Sequence, residues 1–245
     1  MAERVLVTGG TSDIGRAIAW ELAGRGKALA LAGRDESMLE AIARDIEIRF
    51  GTCVTRHAFE ATDFHSHGLL VEEVVGLGRL AGVVCCHGIL ASEDAAAHEF
   101  DLCRRMIDVN YTSTVSILQR VAPSLPRGGF VCVISSVAGD RGRQSNFTYG
   151  STKAALNTYL QGLRNRLHKA GVHVTVVKPG FVNTRMTWGL LDPESPLVVE
   201  PARVARDVIR GVERQKHVVY SPWFWRPIMA AIRAIPEPIF KRLSL

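Results

Sequence analysis

The chain has 245 residues, of which 47% are apolar and 22% are charged, and its formal net charge is +6. This is an ordinary globular balance, and the length suits one large α/β domain or two small ones. No Pro/Gly/Ser-rich linker and no internal repeat divides the chain. We therefore predict a single domain over residues 1–221, with an extension of the same domain over residues 222–245.

The N-terminus, the cysteines and the charge pattern narrow the class of protein. The start MAERVLVTGG enters an apolar run within four residues, so we expect no secretory signal. No stretch reaches the roughly 18 apolar residues of a membrane-spanning helix. Five cysteines without a CxxC motif favour a reducing cytoplasm. From Glu200 onward nine Lys/Arg stand against four Asp/Glu, which suits an anionic membrane surface better than nucleic acid, because no groove-reading motif accompanies the charge.

Short runs rich in Val, Ile and Ala alternate with longer segments of helical period. The runs cover residues 4–10, 28–34, 52–59, 82–88, 130–136, 172–180 and 217–221. They are apolar throughout, which is typical of strands covered on both faces. Several of the helical segments stop at glycine, as at Gly26, Gly51 and Gly171. The alternation predicts a doubly wound sheet of about seven parallel strands, with helices on both faces.

The first strand runs into TGGTSDIG, residues 8–15, which opens a helix. Gly9 allows a tight turn, and Gly15 lets the helix start pack closely on the strand, so that exposed N–H groups can meet a pyrophosphate. An ordinary glycine-rich turn is the alternative, but the strand before and the helix after favour a dinucleotide site. Asp13 is unusual here, since a carboxylate beside a phosphate is unfavourable. We expect its side chain to point away and cap the helix.

The end of the second strand bears on the choice of cofactor. An acidic residue there would bind the adenosine ribose hydroxyls and favour NAD, but this strand ends with Gly33 and Arg34. Because arginine can pair with a 2′-phosphate and stack on adenine, we predict that NADP(H) is preferred over NAD(H). The alternative is a solvated Arg34 in a loop, with Asp35 as the N-cap of the next helix.

Four polar residues form the strongest signal in the sequence. FTYGSTKAALNTYL places Tyr149 and Lys153 four residues apart on one helix face, where the cation favours the phenolate and brings the tyrosine pKa closer to working range. Ser136, at the end of a strand, can bind a substrate carbonyl. Asn110, inside a helical segment, can hold a water or a backbone carbonyl. Taken singly, Tyr149 and Lys153 are also typical of an amphipathic helix surface, and Ser136 of a helix cap. Taken together, the four residues predict a catalytic cleft.

In this order and spacing, TGGTSDIG, the asparagine of DVNYT, SSVAG, YGSTK and KPGFVNT resemble the short-chain dehydrogenase/reductase family over roughly residues 4–221. The resemblance implies a Rossmann fold and an NAD(P)-dependent oxidoreductase acting on CH–OH and C=O groups. The implied catalytic tetrad is Asn110, Ser136, Tyr149 and Lys153. Tyr149 would protonate the carbonyl oxygen as hydride arrives from the nicotinamide. The implied cofactor-binding residues are Gly9, Thr11, Ser12, Ile14, Gly15, Arg34, Glu60, Gly88, Tyr149, Lys153, Pro179, Val182 and Thr184.

The chain departs from the family's usual Asn-Asn-Ala-Gly after the fourth strand, which here reads Cys85, Cys86, His87 and Gly88. Gly88 keeps the close backbone approach to the adenosine ribose, whereas we expect the polar support of the asparagines to be lost. Vicinal cysteines beside a histidine suggest a metal site. Because buried cysteines with a single nearby histidine do not fit zinc-ligand spacing, we predict no metal.

Two segments flank the expected substrate mouth. Residues 184–200 follow the sixth strand, where Met186, Trp188, Leu190 and Leu191 suggest an apolar lid, the alternative being an ordinary loop. GDRGRQSNF, before the catalytic helix, carries Arg141 and Arg143. Arginines there can bind a phosphate or pyrophosphate of the substrate, the alternative being solvated loop residues.

A narrower resemblance concerns the substrate. GGTSDIG, SSVAGDRGRQSNFTYGSTKA, KPGFVNTRMT and the ending IPEPIFKRL are similar to bacterial decaprenylphosphoryl-2-keto-erythropentose reductases, which act with a flavin oxidase partner. It implies reduction of a furanose 2-ketone carried on a polyprenyl phosphate. The alternatives are a reductase of a soluble ketoacyl or steroid-like ketone, and a dinucleotide-binding sensor without catalysis.

The segment SPWFWRPIMAAIRAIPEPIF near the C-terminus has two interpretations. Pro227 and Pro236 predict a helix over residues 228–235, with isoleucines on one face and arginines nearly opposite. With aromatic residues at one end, residues 223–245 resemble a segment lying in a membrane interface at the cytoplasmic side. The alternative is packing against the domain or a second subunit, since the family commonly forms homo-oligomers.

Overall fold

The structure, a computed structural model, describes residues 3–189, 192 and 194–243. Its strands are β1 (Arg4–Thr8), β2 (Ala28–Gly33), β3 (Val54–Ala58), β4 (Leu80–Cys85), β5 (Phe130–Ile134), β6 (His173–Pro179), β7 (Phe181–Val182), β8 (Val198–Val199) and β9 (Val218–Ser221). Its helices are α1 (Asp13–Ala23), α2 (Glu36–Phe50), α3 (Ser66–Gly76), α4 (Glu93–His98), α5 (Phe100–Ile107), α6 (Ser113–Val121), α7 (Phe147–His168), α8 (Pro201–Glu213), α9 (Trp225–Ala234) and α10 (Glu237–Phe240). A π-helical turn (Asp108–Thr112) joins α5 to α6, and 3₁₀ turns cover Ala122–Ser124 and Val137–Asp140.

Seven strands form one sheet in the order β3-β2-β1-β4-β5-β6-β9, and every neighbouring pair is parallel. Each of the seven predicted apolar runs overlaps one of these strands, so the predicted doubly wound architecture is confirmed. β7 and β8 form a separate, short parallel pair that the sequence patterns did not predict.

Burial explains why the strands are apolar throughout. Every residue of β1, β2 and β4 is buried. On one face the sheet packs against α3, α6 and α7. On the other face it packs against α1, α2 and α8. Helices on both faces exclude water from both sides of the strands, and therefore no polar alternation is seen.

The strand order reverses between β1 and β4. From β1 the chain proceeds to β2 and β3 on one side, whereas β4 leads to β5 and β6 on the other. The connections that leave the carboxyl ends of β1 and β4 therefore run apart. A crevice opens between them, and this is where open α/β sheets bind their ligands.

The C-terminal segment is packed against the domain along its apolar face. The helix begins at Trp225 rather than at the predicted residue 228, because the turn before Pro227 is already helical. Trp225 and Met229 are buried, and Ile228 is half-buried, in a cluster that includes Val137 of the 3₁₀ turn. The face that the membrane interpretation needs is thus covered by the domain, as the packing alternative expects. Within the described residues, no helix is both long and apolar enough to cross a membrane.

Arg141 fastens the end of α9 and does not face the substrate mouth. Its Nη1 donates to the carbonyl oxygens of Ile232 (2.7 Å) and Ile235 (2.6 Å). Its Nη2 donates to a carboxylate oxygen of Glu237 at 3.0 Å, and its guanidinium lies 3.6 Å from the ring centroid of Phe240. The predicted role of Arg141 in phosphate binding is wrong for this reason: the guanidinium already satisfies the unpaired carbonyls of a helix C-terminus.

We expect Met229→Ala to lower the free energy of unfolding by about 2–5 kcal/mol, because it removes a fully buried side chain and leaves a cavity. Ile239→Ala is the control within the same segment, since that side chain is 55% exposed and its loss should change stability by about 0.5 kcal/mol or less. Urea unfolding of both variants makes the comparison. Equal effects would show that α9 is not packed on the domain in solution.

Candidate active site

Residues that follow β1 to β6 line one continuous cleft of about 760 Å³. Most of the predicted site residues lie on its walls. These are Gly9, Thr11, Ser12, Ile14, Arg34, Glu60, Gly88, Ser136, Tyr149, Lys153, Pro179, Val182 and Thr184. Gly15 and Asn110 are buried directly behind the walls. The topology therefore brings together residues that are spread over most of the chain.

The loop between β1 and α1 is shaped by two glycines and a serine. Gly9 has φ +71°, and a Cβ there would lie 2.6 Å from the backbone nitrogen of His87. A Cβ on Gly15 would collide with the carbonyl oxygen of Gly9. The hydroxyl of Ser12 accepts from the backbone N–H of Gly15 (3.0 Å) and donates to the carbonyl of Gly9 (2.7 Å). Only glycine fits both positions, and the N-terminus of α1 opens into the cleft.

Asp13 does not cap α1, contrary to expectation, because Ser12 holds that position. The Oδ2 of Asp13 instead accepts from the backbone N–H of Arg185 at 3.0 Å, and the guanidinium Nε lies 3.5 Å from the same oxygen. Arg185 Nη2 also donates to the carbonyl of Thr11 at 2.7 Å. The unusual carboxylate therefore ties the segment after β7 to the glycine-rich loop.

At the end of β2, the structure gives Asp35 a capping role and leaves Arg34 exposed at the cleft wall. Asp35 caps α2 by accepting from the backbone N–H of Met38 at 2.9 Å. Arg34 lines the cleft with a side chain that is 64% exposed, and its Nη1 lies 4.0 Å from a carboxylate oxygen of Glu60. The cation is thus available at the cleft wall, with one weakly held acidic neighbour.

Tyr149 and Lys153 face the cleft from α7, beside Ser136 at the end of β5. The Nζ of Lys153 donates to the carbonyl of Ile134 at 3.2 Å and lies 5.5 Å from the centroid of the Tyr149 ring. Burial raises the pKa of Tyr149 to about 12, although a hydrogen bond with Ser136 opposes the shift. Burial also lowers the pKa of Lys153 to about 8. The expectation that the cation lowers the tyrosine pKa is wrong for this cleft, because desolvation dominates.

Asn110 supports the backbone that follows β4. Its Nδ2 donates to the carbonyl of Ile89 at 2.9 Å, and its Oδ1 accepts from the Ile89 N–H at 2.8 Å. A Cβ on Gly88 would lie 3.1 Å from the same Oδ1. The side chain is held where the helix widens into the π-helical turn between α5 and α6. From the sequence we expected Asn110 to hold either a water or a backbone carbonyl, and in the structure it holds the backbone carbonyl of Ile89.

His87 supplies the polar support that we expected to be lost at this departure from the family pattern. Its Nδ1 shares a hydrogen bond with the Thr8 hydroxyl at 2.7 Å, and its Nε2 shares one with the Ser113 hydroxyl at 2.7 Å. Burial lowers the pKa of His87 to about 3, so the ring is neutral and joins the end of β1 to the start of α6. Among residues 3–189, 192 and 194–243, no group of three His, Cys, Asp or Glu side chains is placed to hold a metal ion.

Glu93 caps the catalytic helix from a different element. Its carboxylate accepts from the backbone N–H of Thr148 at 2.8 Å and from the Thr148 hydroxyl, whereas Asn146, the local N-cap residue, makes no capping hydrogen bond. Sequence patterns missed Glu93 because capping motifs are local and these partners are 55 residues apart. The cap fixes the first turn of α7, next to Tyr149.

Of the remaining residues predicted to contact the substrate, only some line the cleft. Met186 lines the cleft, while Trp188 is 85% exposed and is not among the described residues that line it. Arg143 is half-buried before α7 and is likewise absent from the described cleft walls. The predicted Leu190 and Leu191 lie outside the described residues. The cleft has two further arginines that the sequence patterns did not single out, Arg105 on α5 and Arg185 after β7.

Known proteins share this fold and these motifs. A family model described as short chain dehydrogenase matches residues 3–195. An uncharacterized oxidoreductase of Mycobacterium tuberculosis is 35% identical over 245 residues, covering 99% of this chain and 97% of the relative.

Solved structures resemble the chain as well. A short-chain dehydrogenase from Sphingobium yanoikuyae in complex with NADPH has a TM-score of 0.82 at 26% identity, covering 96% of this chain and 97% of its own. A 3-oxoacyl-[acyl-carrier protein] reductase from Brucella melitensis in complex with NAD has a TM-score of 0.82 at 24% identity, covering 90% of this chain and 96% of its own, and shares the fold. With the matched family and the parallel sheet, these findings show that the chain belongs to the short-chain dehydrogenase/reductase family and is an NAD(P)-dependent oxidoreductase.

Proposed function

We propose that this oxidoreductase reduces a ketone to an alcohol, with NADPH as the preferred reductant. The observation that carries the proposal is the placement of Tyr149, Lys153 and Ser136 together in a cleft that also contains the glycine-rich loop. A pKa of about 12 keeps the Tyr149 proton in place at neutral pH, so the group is ready to act as an acid.

The cleft walls fit a dinucleotide. At its glycine-rich end the N-terminus of α1 is uncovered, and no Cβ is tolerated at Gly9 or Gly15. We assign the adenosine end to Arg34 and Glu60, and the nicotinamide end to Pro179, Val182 and Thr184. When bound, NADPH supplies the hydride that reaches the carbonyl carbon.

The protein's own groups would complete the reduction. Ser136 donates a hydrogen bond to the carbonyl oxygen, and Tyr149 transfers its hydroxyl proton to the same oxygen, giving the alcohol. The Lys153 ammonium then stabilises the phenolate that remains on Tyr149. Asn110 holds the carbonyl and N–H of Ile89, and thereby orients the loop that borders this site. A catalytically silent dinucleotide sensor would have no need of the Tyr149 and Lys153 pair.

We expect Tyr149→Phe to lower kcat for ketone-dependent NADPH oxidation by about 10²- to 10⁴-fold, because the phenyl ring has no proton to give. The dissociation constant for NADPH should stay within about threefold of wild type. Tyr159→Phe, half-buried on the same helix, is the control and should keep full activity. A wild-type protein that binds NADPH and oxidises it with no ketone would support the sensor instead.

We expect kcat/KM for reduction to fall as pH rises through about 8. Burial lowers the Lys153 pKa, so the ammonium is present below that pH and lost above it, while Tyr149 stays protonated throughout. Lys153→Met should abolish most activity and remove this inflection from what remains. Lys169→Met, on an exposed residue after α7, should leave the profile unchanged. A profile that is flat to about pH 10 would contradict the role given to Lys153.

We expect Arg34→Gln to weaken NADPH binding by about 10- to 100-fold, because a charged hydrogen-bond partner of the 2′-phosphate is lost. NADH binding should not change, since NADH has no such phosphate. Arg44→Gln, on the exposed part of α2, is the control. Fluorescence titration with both nucleotides provides the measurement, and equal weakening of both would argue against an NADPH preference based on Arg34.

We propose as a second, finer candidate that the ketone is a polyprenylphosphoryl 2-keto-furanose. Exposed apolar side chains in the C-terminal segment favour it: Trp223 is 70% exposed, Ile239 55% and Leu243 40%. Arg226, Lys241 and Arg242 lie beside them in the sequence. Such a surface suits an anionic membrane that holds the lipid tail. On this proposal the protein is a cytoplasmic homo-oligomer, peripheral to the inner face of the membrane, and works with a flavin oxidase.

Turnover with a short-prenyl phosphoryl 2-keto-furanose should then exceed turnover with the same sugar phosphate lacking the prenyl chain. Trp223→Ala should weaken binding to anionic vesicles, while Ile48→Ala, which removes a 78% exposed side chain from α2, should not. Equal turnover of the two substrates, together with the absence of vesicle binding, would favour a soluble ketone.

A further inference from the structure

The cleft has apolar walls and two arginines that the sequence patterns did not single out. Ile89, Leu90, Val109 and Met186 contribute hydrophobic side chains to it, and Arg105 and Arg185 also line it. Arg185 is committed to the glycine-rich loop through Asp13 and the carbonyl oxygen of Thr11. Arg105 precedes Val109 by four residues, one helical turn, and therefore projects from the same face. Val109 directly precedes Asn110 in the π-helical turn that follows α5.

Arg105 differs from its neighbour Arg104 in having no counter-charge. Arg104 pairs with Asp108 at 3.7 Å on the same helical stretch. In the part of the chain that the structure describes, no carboxylate oxygen lies within 4.0 Å of a nitrogen of Arg105. Of the two arginines proposed for this purpose from the sequence, Arg141 is occupied by the carbonyls at the end of α9, and Arg143 is not among the described residues that line the cleft. Arg105 is thus an uncommitted guanidinium on the cleft wall.

We propose that Arg105 is a specificity-determining residue that binds an anionic group of the ketone substrate. A guanidinium matches a carboxylate or a phosphate in geometry and charge, and the exposed Arg105 is accessible to such a group. Asn110 stands five positions after Arg105 in the chain, roughly 7.5 Å along an α-helix axis. The anionic group is therefore several bonds from the reacting carbonyl, and the substrate is an acidic ketone with an apolar portion between the two. This inference rests on the proposed ketone reduction and names its substrate class.

Matched ketones with and without a charge provide the test. We would compare 4-oxopentanoate with its methyl ester, and dihydroxyacetone phosphate with dihydroxyacetone, so that carboxylate and phosphate are distinguished. For at least one pair, wild type should show kcat/KM about tenfold or more higher for the anion, mainly through KM. Arg105→Gln should bring that ratio to about one and leave kcat/KM for the neutral ketone unchanged, and Arg105→Glu should reverse the preference. Arg104→Gln is the matched control and should behave as wild type.

The outcomes separate this inference from the proposed function. Reduction of neutral and anionic ketones with equal kcat/KM in wild type, or an anion preference that survives Arg105→Gln, would overturn the role of Arg105 and leave ketone reduction intact. A wild type that reduces no ketone would overturn the proposed function. In that case calorimetric binding of the same two anions to the NADP⁺-saturated protein decides the inference: weakening by Arg105→Gln but not by Arg104→Gln supports it, and equal binding refutes it.

Discussion

The parallel pairing of β1 with β4 is the constraint on which the cleft depends. After a register shift between Arg4 and Val5, the two strands stay in constant register until Thr8 lies opposite Cys85, and the chain then leaves them in different directions. His87 holds this divergence in place, because its two ring nitrogens bond to Thr8 and to Ser113 of the following helix. A neutral imidazole can donate through one nitrogen and accept through the other, so it joins two hydroxyls without placing a charge in the core. The glycine-rich loop and the Asn110 turn are both built on this junction.

The low polarity of the site sets the protonation of its working groups. Burial makes the charged form of each group costly, and it therefore raises the pKa of Tyr149 and lowers that of Lys153. Both shifts bring the pair toward a neutral state. In a reductase this is useful, since the tyrosine begins the reaction as a proton donor and the lysine becomes most valuable when the phenolate appears. The same desolvation strengthens any ion pair formed with a substrate in the cleft.

The sequence predicted the features that depend on neighbouring residues and missed those that depend on contacts between residues far apart in the chain. Strand periodicity and the spacing of Tyr149 and Lys153 are local, and they correctly predicted the parallel sheet and the placement of both residues on one helix that faces the cleft. The partners of Asp13, Glu93 and Arg141 lie between 55 and 172 residues away in the chain. Patterns of neighbouring residues hold no signal for such pairs. Asp13 was therefore assigned a local capping role, although the structure gives that role to Ser12.

The C-terminal segment contacts the cleft wall and also binds Arg141, a residue that we expected to bind substrate. Trp225 packs directly on Gly180, a residue of the cleft wall, so closely that a Cβ there would overlap its indole ring. Arg141 in turn holds the far end of α9 through three backbone carbonyls. The segment thus braces the cleft wall at Gly180, and Arg141, which was expected to bind substrate, is used for this packing. On the proposal made for Arg105, the charge of an anionic substrate is recognised instead from α5. The same helical stretch continues into the turn that holds Asn110, and Asn110 fixes the backbone of Ile89 on the cleft wall. Proposed charge recognition and support of the loop after β4 therefore lie on neighbouring turns.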